Sequence, residues 1–242
     1  KPHPNMAQRF CEWIFVTAFV LLCSHNDSIG VHAYTFGFIG DSLTCGLGEN
    51  VDNAAVCGAI NNFCFPYWQE HRGEVLGFPH RLVSDLAANF SSRGCYPGAT
   101  SRDVMMNGNA TAVANDQNAN AVVILLGAND CGDGVQNTTA VYYDAAVTLV
   151  AQRKHGRHIF LINNPWDSPT CKIDYSFFKG TWNQWITVVL NTHQGLNGAV
   201  IHQLTSSWTG VTADDLCVDC AGHPLGVGYA IIAHNMAAAI KN

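Results

Sequence analysis

Ala121-Val122-Val123-Ile124-Leu125-Leu126, running straight into Gly127-Ala128-Asn129-Asp130, is the stretch on which the fold turns. Six apolar residues in succession lack the polar alternation of a half-exposed strand, and such a run fits a parallel strand covered on both faces. Four further runs flank it: Tyr34 to Ile39, a weaker one near Ser92 to Tyr96, His158 to Ile162, and Ala199 to Leu204. Helix signals lie between the runs. Pro79 opens a pattern with Leu82, Val83, Leu86 and Ala87 on one side, and Thr139 is placed to cap a helix carrying Val141, Ala145, Leu149 and Val150 that ends by Gly156. Trp182, Trp185, Ile186 and Val189 share a face that stops near Gly195, and Pro224 to Ile240 supplies the last helix. Strands alternating with helices predict an α/β protein, a doubly wound parallel sheet with helices on both sides. Residues 50–77, rich in Asn, Gly and aromatic side chains, read as a long loop insertion. In such a sheet the ligand sits outside the carboxyl ends of the strands, so the residues following each run carry the information about function.

The chain has 242 residues, 48% apolar and 12% charged, with 12 basic against 18 acidic side chains. That composition describes a folded domain with a substantial core and excludes a disordered chain. The acidic excess and the absence of a basic cluster argue against a nucleic-acid partner, which requires clustered Lys and Arg. The N-terminus reads as a targeting segment: Met6 as initiator, Arg9 in a positive n-region, an apolar run from Trp13 to Cys23, and small residues at the cleavage positions of Val31-His32-Ala33. The alternative is a retained membrane-anchoring or buried N-terminal helix. We therefore expect residues 1–33 to be a signal peptide with upstream residues, 34–242 to form one domain, and the mature chain to be secreted with no stable membrane insertion. Removing residues 1–33 leaves eight cysteines, an even set that suits an oxidising compartment. Asn89-Phe90-Ser91, Asn109-Ala110-Thr111 and Asn137-Thr138-Thr139 are glycosylation sequons. Cys217, Cys220 and nearby His223 form half of a zinc site, but no second Cys-x-x-Cys completes it, so disulfides are the expectation and no metal is.

Four segments fall where the fold would gather them. They are Gly40-Asp41-Ser42-Leu43-Thr44 after the first strand, Tyr96-Pro97-Gly98 after the second, Gly127-Ala128-Asn129-Asp130 after the third, and Asp219-Cys220-Ala221-Gly222-His223-Pro224 before the last helix. Chemically these are the pieces of an acyl-transfer site. The Ser42 hydroxyl is a poor nucleophile until a base takes its proton, and His223 is the base at hand. An Asp just before the histidine would fix its tautomer. The tetrahedral oxyanion needs preorganised donors, for which the backbone N–H groups of Ser42 and Gly98 and the side-chain amide of Asn129 are suited.

The four segments closely resemble the SGNH (GDSL-type) hydrolase family: Gly40-Asp41-Ser42-Leu43 its first block, Gly98 its second, Gly127-x-Asn129-Asp130 its third and His223-Pro224 its last. The resemblance runs from about Tyr34 to the C-terminus. It implies a flavodoxin-like three-layer α/β/α sandwich with a five-stranded parallel sheet, a Ser42 nucleophile, a His223 base, an oxyanion hole of Ser42, Gly98 and Asn129, and no cofactor. One position departs: the family places Asp three residues before the histidine, where this chain has Cys220. Asp219 is the assigned third member, Asp214 and Asp215 the fallbacks, and a backbone carbonyl the remaining alternative. If the strand order is 2-1-3-4-5, Cys45 and Cys95 follow neighbouring strands, as do Cys131 and Cys171. Cys57–Cys64 would then close the insertion and Cys217–Cys220 would pin the histidine loop, with pairing to Cys171 as its rival.

The expected activity is hydrolysis of carboxylic esters through an acyl-enzyme. Trp166, in Asn163-Asn164-Pro165-Trp166-Asp167 after the fourth strand, is expected to reach the cleft. An aromatic ring beside amides favours short O-acyl esters on carbohydrate, and the same ring as an acyl-pocket wall gives a lipase or lysophospholipase. A non-catalytic extracellular glycan-binding or structural protein of the same fold is the alternative from another class. The sequence leaves the oligomeric state open.

Overall fold

The computed structural model describes residues 34–46, 77–130, 136–163, 175–217 and 223–242. Five strands form one parallel sheet: β1 (Thr35–Gly40), β2 (Asn89–Cys95), β3 (Ala121–Leu125), β4 (His158–Ile162) and β5 (Val200–Leu204), in the order β2-β1-β3-β4-β5. The helices are α1 (Ser42–Cys45), α2 (Gly77–Asp85), α3 (Ser101–Met106), α4 (Asn109–Asn115), α5 (Gln136–Arg153), α6 (Tyr175–His193) and α7 (Gly226–Lys241). Two short strands, β6 (Leu216–Cys217) and β7 (His223–Pro224), pair antiparallel outside the main sheet. This is the α/β sandwich with a five-stranded parallel sheet that the sequence implied.

β3 is buried along its whole length, as its unbroken apolar run requires. On one face Ile39, Val122, Ile124, Ile159, Leu161 and Ile201 pack against residues of α3, α4, α5 and α6; on the other Phe36, Phe38, Val123, Phe160 and Leu204 pack against α2 and α7. The buried guanidinium of Arg157 joins the lower end of the first layer, donating to the carbonyls of Ala114, Asp116, Ala119 and Val150. Register then sets the upper end. Gly40 lies opposite Cys95 on one side and Leu125 on the other, so the loops leaving β1, β2 and β3 emerge side by side. The turn after β1 is tight: a Cβ on Gly40 would fall 1.8 Å from Thr44 Oγ1 and 2.7 Å from the Leu125 carbonyl.

Several local expectations need correction. α5 begins at Gln136, before Thr139, so Thr139 lies within the helix and does not cap it. α7 begins at Gly226, because His223 and Pro224 are taken up by pairing with Cys217 and Leu216. The crossover from β2 to β3 contains two helices that hydrophobic periodicity did not reveal, α3 and α4, of 6 and 7 residues. They are too short for a periodic stripe, but a capping box marks α3: Thr100 accepts from the Asp103 N–H while the Asp103 carboxylate accepts from the Thr100 N–H. The insertion expected at 50–77 lies outside the described residues apart from Gly77.

Candidate active site

Ser42 is the first residue of α1, and Asp41 caps that helix by accepting the Leu43 N–H through Oδ1 at 2.9 Å. The cap closes the strand-to-helix turn and leaves the serine at the carboxyl end of β1, buried and aimed across the sheet top. His223 arrives from β7, far along the chain. Its loop is held by the β6–β7 pairing and by the Leu225 N–H donating to the Asp215 carbonyl at 2.8 Å. The result is a direct contact: Nε2 of His223 lies 2.6 Å from Oγ of Ser42. With the imidazole proton on Nδ1, the hydroxyl donates to Nε2, the arrangement from which a serine is activated.

The second and third segments are laced to one another beside this pair. Gly98 adopts φ +78°, a left-handed conformation that favours glycine, and no atom lies within 4 Å of where a Cβ would stand. Asn129 Nδ2 donates to the Ala99 carbonyl at 3.0 Å, which orients the amide and leaves its second N–H without a protein acceptor among the described residues. The buried Asp130 carboxylate accepts from the Ser101 N–H and the Ser101 hydroxyl, fastening the loop after β3 to the start of α3. A disulfide between Cys45 and Cys95, with Cα atoms 5.6 Å apart, ties the end of α1 to the end of β2. This is the pairing expected from neighbouring strands, and it joins the serine turn to the strand leading into Gly98.

A sequence profile of the GDSL-like lipase/acylhydrolase family matches residues 38–231. The chain belongs to that family. No curated protein matches the sequence, whereas solved structures of this fold do. A lipase from a goat rumen metagenome superposes with a TM-score of 0.55 at 16% identity, over 85% of this chain and 97% of its own. A variant of an acetyl-xylooligosaccharide esterase from Geobacillus stearothermophilus gives 0.57 at 16% identity, over 86% and 94%. A carbohydrate esterase family 2 enzyme with a carbohydrate-binding domain, from Corynascus thermopiles (Myceliophthora fergusii), gives 0.58 at 20% identity, over 86% and 65%. At these identities the likeness is one of fold.

Of the expected site residues of this GDSL-like chain, the structure gathers Ser42, His223, Gly98 and Asn129 at the carboxyl ends of β1, β2 and β3. Asp219, Trp166, Cys57, Cys64, Cys131, Cys171 and Cys220 lie outside the described residues, as do the side chains of Cys217 and Asn137. The fallback carboxylates do not serve His223. Asp215 is engaged in a capping box with the N–H and hydroxyl of Thr212, and Asp214 is exposed with no bond to the imidazole. Asn89 is exposed and Asn109 half-buried. Among the described residues no group of three or more His, Cys, Asp or Glu side chains is placed to hold a metal ion, and no helix is long and apolar enough to cross a membrane.

Three neighbours of the site escaped the sequence reading. Burial, reinforced by the charge of Asp130, pushes the Asp41 carboxyl up to about 7 against the opposing bond from the Leu43 N–H. Asp41 Oδ2 is buried without a hydrogen-bond partner among the described residues. Trp182, expected as helix-face core, is indeed 1% exposed, but its Nε1–H also donates to the Leu126 carbonyl at 3.2 Å, immediately before the Gly127 block. Tyr96, two residues before Gly98, stands 50% exposed on the rim.

Proposed function

We propose that this GDSL-family protein is a secreted serine esterase that hydrolyses short O-acyl esters, acetyl above all, on carbohydrate. The observation that carries the hydrolytic part is the 2.6 Å approach of Ser42 Oγ to His223 Nε2. Ser42 Oγ attacks the ester carbonyl carbon while Nε2 takes the hydroxyl proton. The oxyanion is met by the N–H groups of Ser42 and Gly98 and the free N–H of Asn129. Collapse of the tetrahedral species releases the alcohol, which leaves with the proton from His223. A water, deprotonated in turn by His223, then hydrolyses the acyl-serine. Asp219 is assigned to orient the imidazole.

The carbohydrate preference rests on the exposed Tyr96 ring beside Gly98, a flat apolar surface suited to a sugar face, and on the amide pair of Asn163, after β4, and Gln203, in β5. The acetyl-xylooligosaccharide esterase and the family 2 carbohydrate esterase that share the fold lend it support. Secretion is supported by the N-terminal apolar run and by the Cys45–Cys95 bridge, with Asn89 more open to a transferase than Asn109.

Labelling the mature protein with a fluorophosphonate, followed by mass mapping, tests the mechanism. We expect a single adduct on Ser42 that is lost in Ser42→Ala and reduced at least a hundredfold in rate in His223→Ala. Absence of an adduct on folded, bridge-intact protein would leave a binding protein without turnover. Comparing acetylated xylo-oligosaccharides with a lysophospholipid settles the substrate class, and faster turnover of the lipid overturns the carbohydrate assignment.

A further inference from the structure

Beyond the Ser42–His223 pair, the carboxyl edge of the sheet carries a second ordered polar group. Asn163 is the first residue after β4, half-buried, and its backbone N–H donates to the Leu204 carbonyl at 3.4 Å. Its side chain is pinned by Gln203, from the neighbouring β5, whose Nε2–H donates to Asn163 Oδ1 at 2.7 Å. Gln203 is itself held on every polar atom. Its Oε1 accepts from the Thr187 hydroxyl at 2.9 Å, and its second Nε2–H points to the Asn183 carbonyl at 3.4 Å, both on α6. Thr187 Oγ1 also lies 3.1 Å from the Asn183 carbonyl, and the orientation with Oε1 toward Thr187 is the one that turns the Gln203 N–H toward that carbonyl. In that orientation Asn163 Oδ1 is committed to Gln203, and the Nδ2 amide has no protein acceptor among the described residues.

β4 is two strand steps from β1 across β3, and steps of about 4.8 Å place the Asn163 position roughly 10 Å along the sheet top from the serine strand. A donor pair held there by two layers of hydrogen bonds is of no use to an acyl chain, which offers no acceptor. It suits an oxygen-rich alcohol portion, since hydroxyl and acetal oxygens accept. The rigid backing from Gln203 and Thr187 means that little side-chain entropy is lost when such a ligand binds.

We propose that Asn163, preorganised by Gln203, is a specificity-determining residue that donates to a hydroxyl or acetal oxygen of the carbohydrate carrying the ester. The assignment rests on the carbohydrate-ester reading above. It is tested by kinetics of Asn163→Ala on two substrates, an acetylated xylo-oligosaccharide and p-nitrophenyl acetate, whose alcohol portion is too small to reach the end of β4. Loss of one such bond is expected to raise KM for the oligosaccharide by about fivefold, with kcat unchanged and kcat/KM for p-nitrophenyl acetate within about twofold of the parent. Gln203→Ala, which leaves Asn163 in place but unpinned, is expected to move the same KM in the same direction by less. Parallel loss on both substrates, with a lowered Tm, would make the network a structural staple and overturn the assignment, as would no change on either. Failure of the parent enzyme to cleave the oligosaccharide while cleaving p-nitrophenyl acetate would instead remove the carbohydrate reading, and this inference with it.

Discussion

Asp41 sits one residue before the proposed nucleophile and is fully buried, yet only one of its oxygens has a partner. A carboxyl in that position holds its proton to about pH 7 instead of the ordinary 3.8, chiefly because burial penalises the anion. The linkage follows directly. Between those two values unfolding releases a proton that the folded protein retains, so the contribution to stability is whole below about pH 4 and is lost as pH rises through 7. Asp41→Asn keeps an oxygen for the Leu43 N–H and cannot ionise. We expect the melting temperature of the parent to fall relative to that of Asp41→Asn as pH is raised from 4 to 8, by an amount corresponding to a few kcal/mol. Melting curves that run parallel across that range would show that Asp41 does not titrate there. Nothing in the sequence marks Asp41 in this way, because full burial is a product of the folded turn and the charge that reinforces it, on Asp130, lies far along the chain. What the sequence did expose was each segment's chemistry: a serine after a strand, a glycine able to take φ +78°, an amide, and a histidine shortly before the last helix.

At the scale of elements, α6 braces the loop after β3. Gly127 has φ +119°, and a Cβ there would fall 2.5 Å from the Trp182 indole, whose N–H already holds the Leu126 carbonyl. Helix and loop are therefore matched in shape, and Asn129 lies two residues further on. Trp182→Phe removes the N–H but keeps most of the ring, and we expect a kcat loss of about tenfold with KM little changed, since Asn129 acts on the transition state. Gly127→Ala faces both a strained backbone and a ring that cannot retreat, and is expected to lose more activity and several degrees of Tm. Equal and small effects of the two variants on kcat would show that Asn129 does not depend on this contact. Legibility divides along the same line. The strand runs, and with them the sheet, were readable because full burial on both faces demands uninterrupted apolar residues. The pairing of Trp182 with Gly127 was not, because the two stand 55 positions apart in sequence while only the crossover brings them together. The helices α3 and α4 escaped because segments of 6 and 7 residues bury too few side chains to write a period.

Taken whole, the molecule is held by one long-range covalent link among the described residues and by a layered core, and its pH response is set at both ends of the sheet. The Cys45–Cys95 bridge spans 50 residues, for which loop-closure entropy amounts to about 4 kcal/mol, so Cys95→Ala is expected to lower Tm by several degrees. Because the bridge also joins the serine turn to the Gly98 strand, that variant should lose activity at temperatures well below its melting point; full activity up to the transition would confine the bridge to stability. At the opposite end of the sheet His158 and His202 meet, with Nδ1 and Nε2 3.3 Å apart and the Tyr34 hydroxyl 3.3 Å from the same Nδ1. Burial lowers the proton affinity of both imidazoles below the ordinary 6.5, and for His202 the neighbouring His158 adds to the effect. The sign is opposite to that of Asp41. Below pH 6.5 the unfolded chain takes up protons that the folded pair resists, so stability is present above that value and is lost as the solution is acidified. His202→Gln retains an amide donor toward His158 and discards one titrating ring. We expect it to lose less Tm than the parent between pH 7 and pH 5, with the two curves converging above pH 7 apart from a constant offset. Since Asp41 acts through the same range with the other sign, the comparison must be drawn between variant and parent at each pH, where the Asp41 contribution cancels. An identical acid loss in both would mean that the pair accepts its second proton while folded.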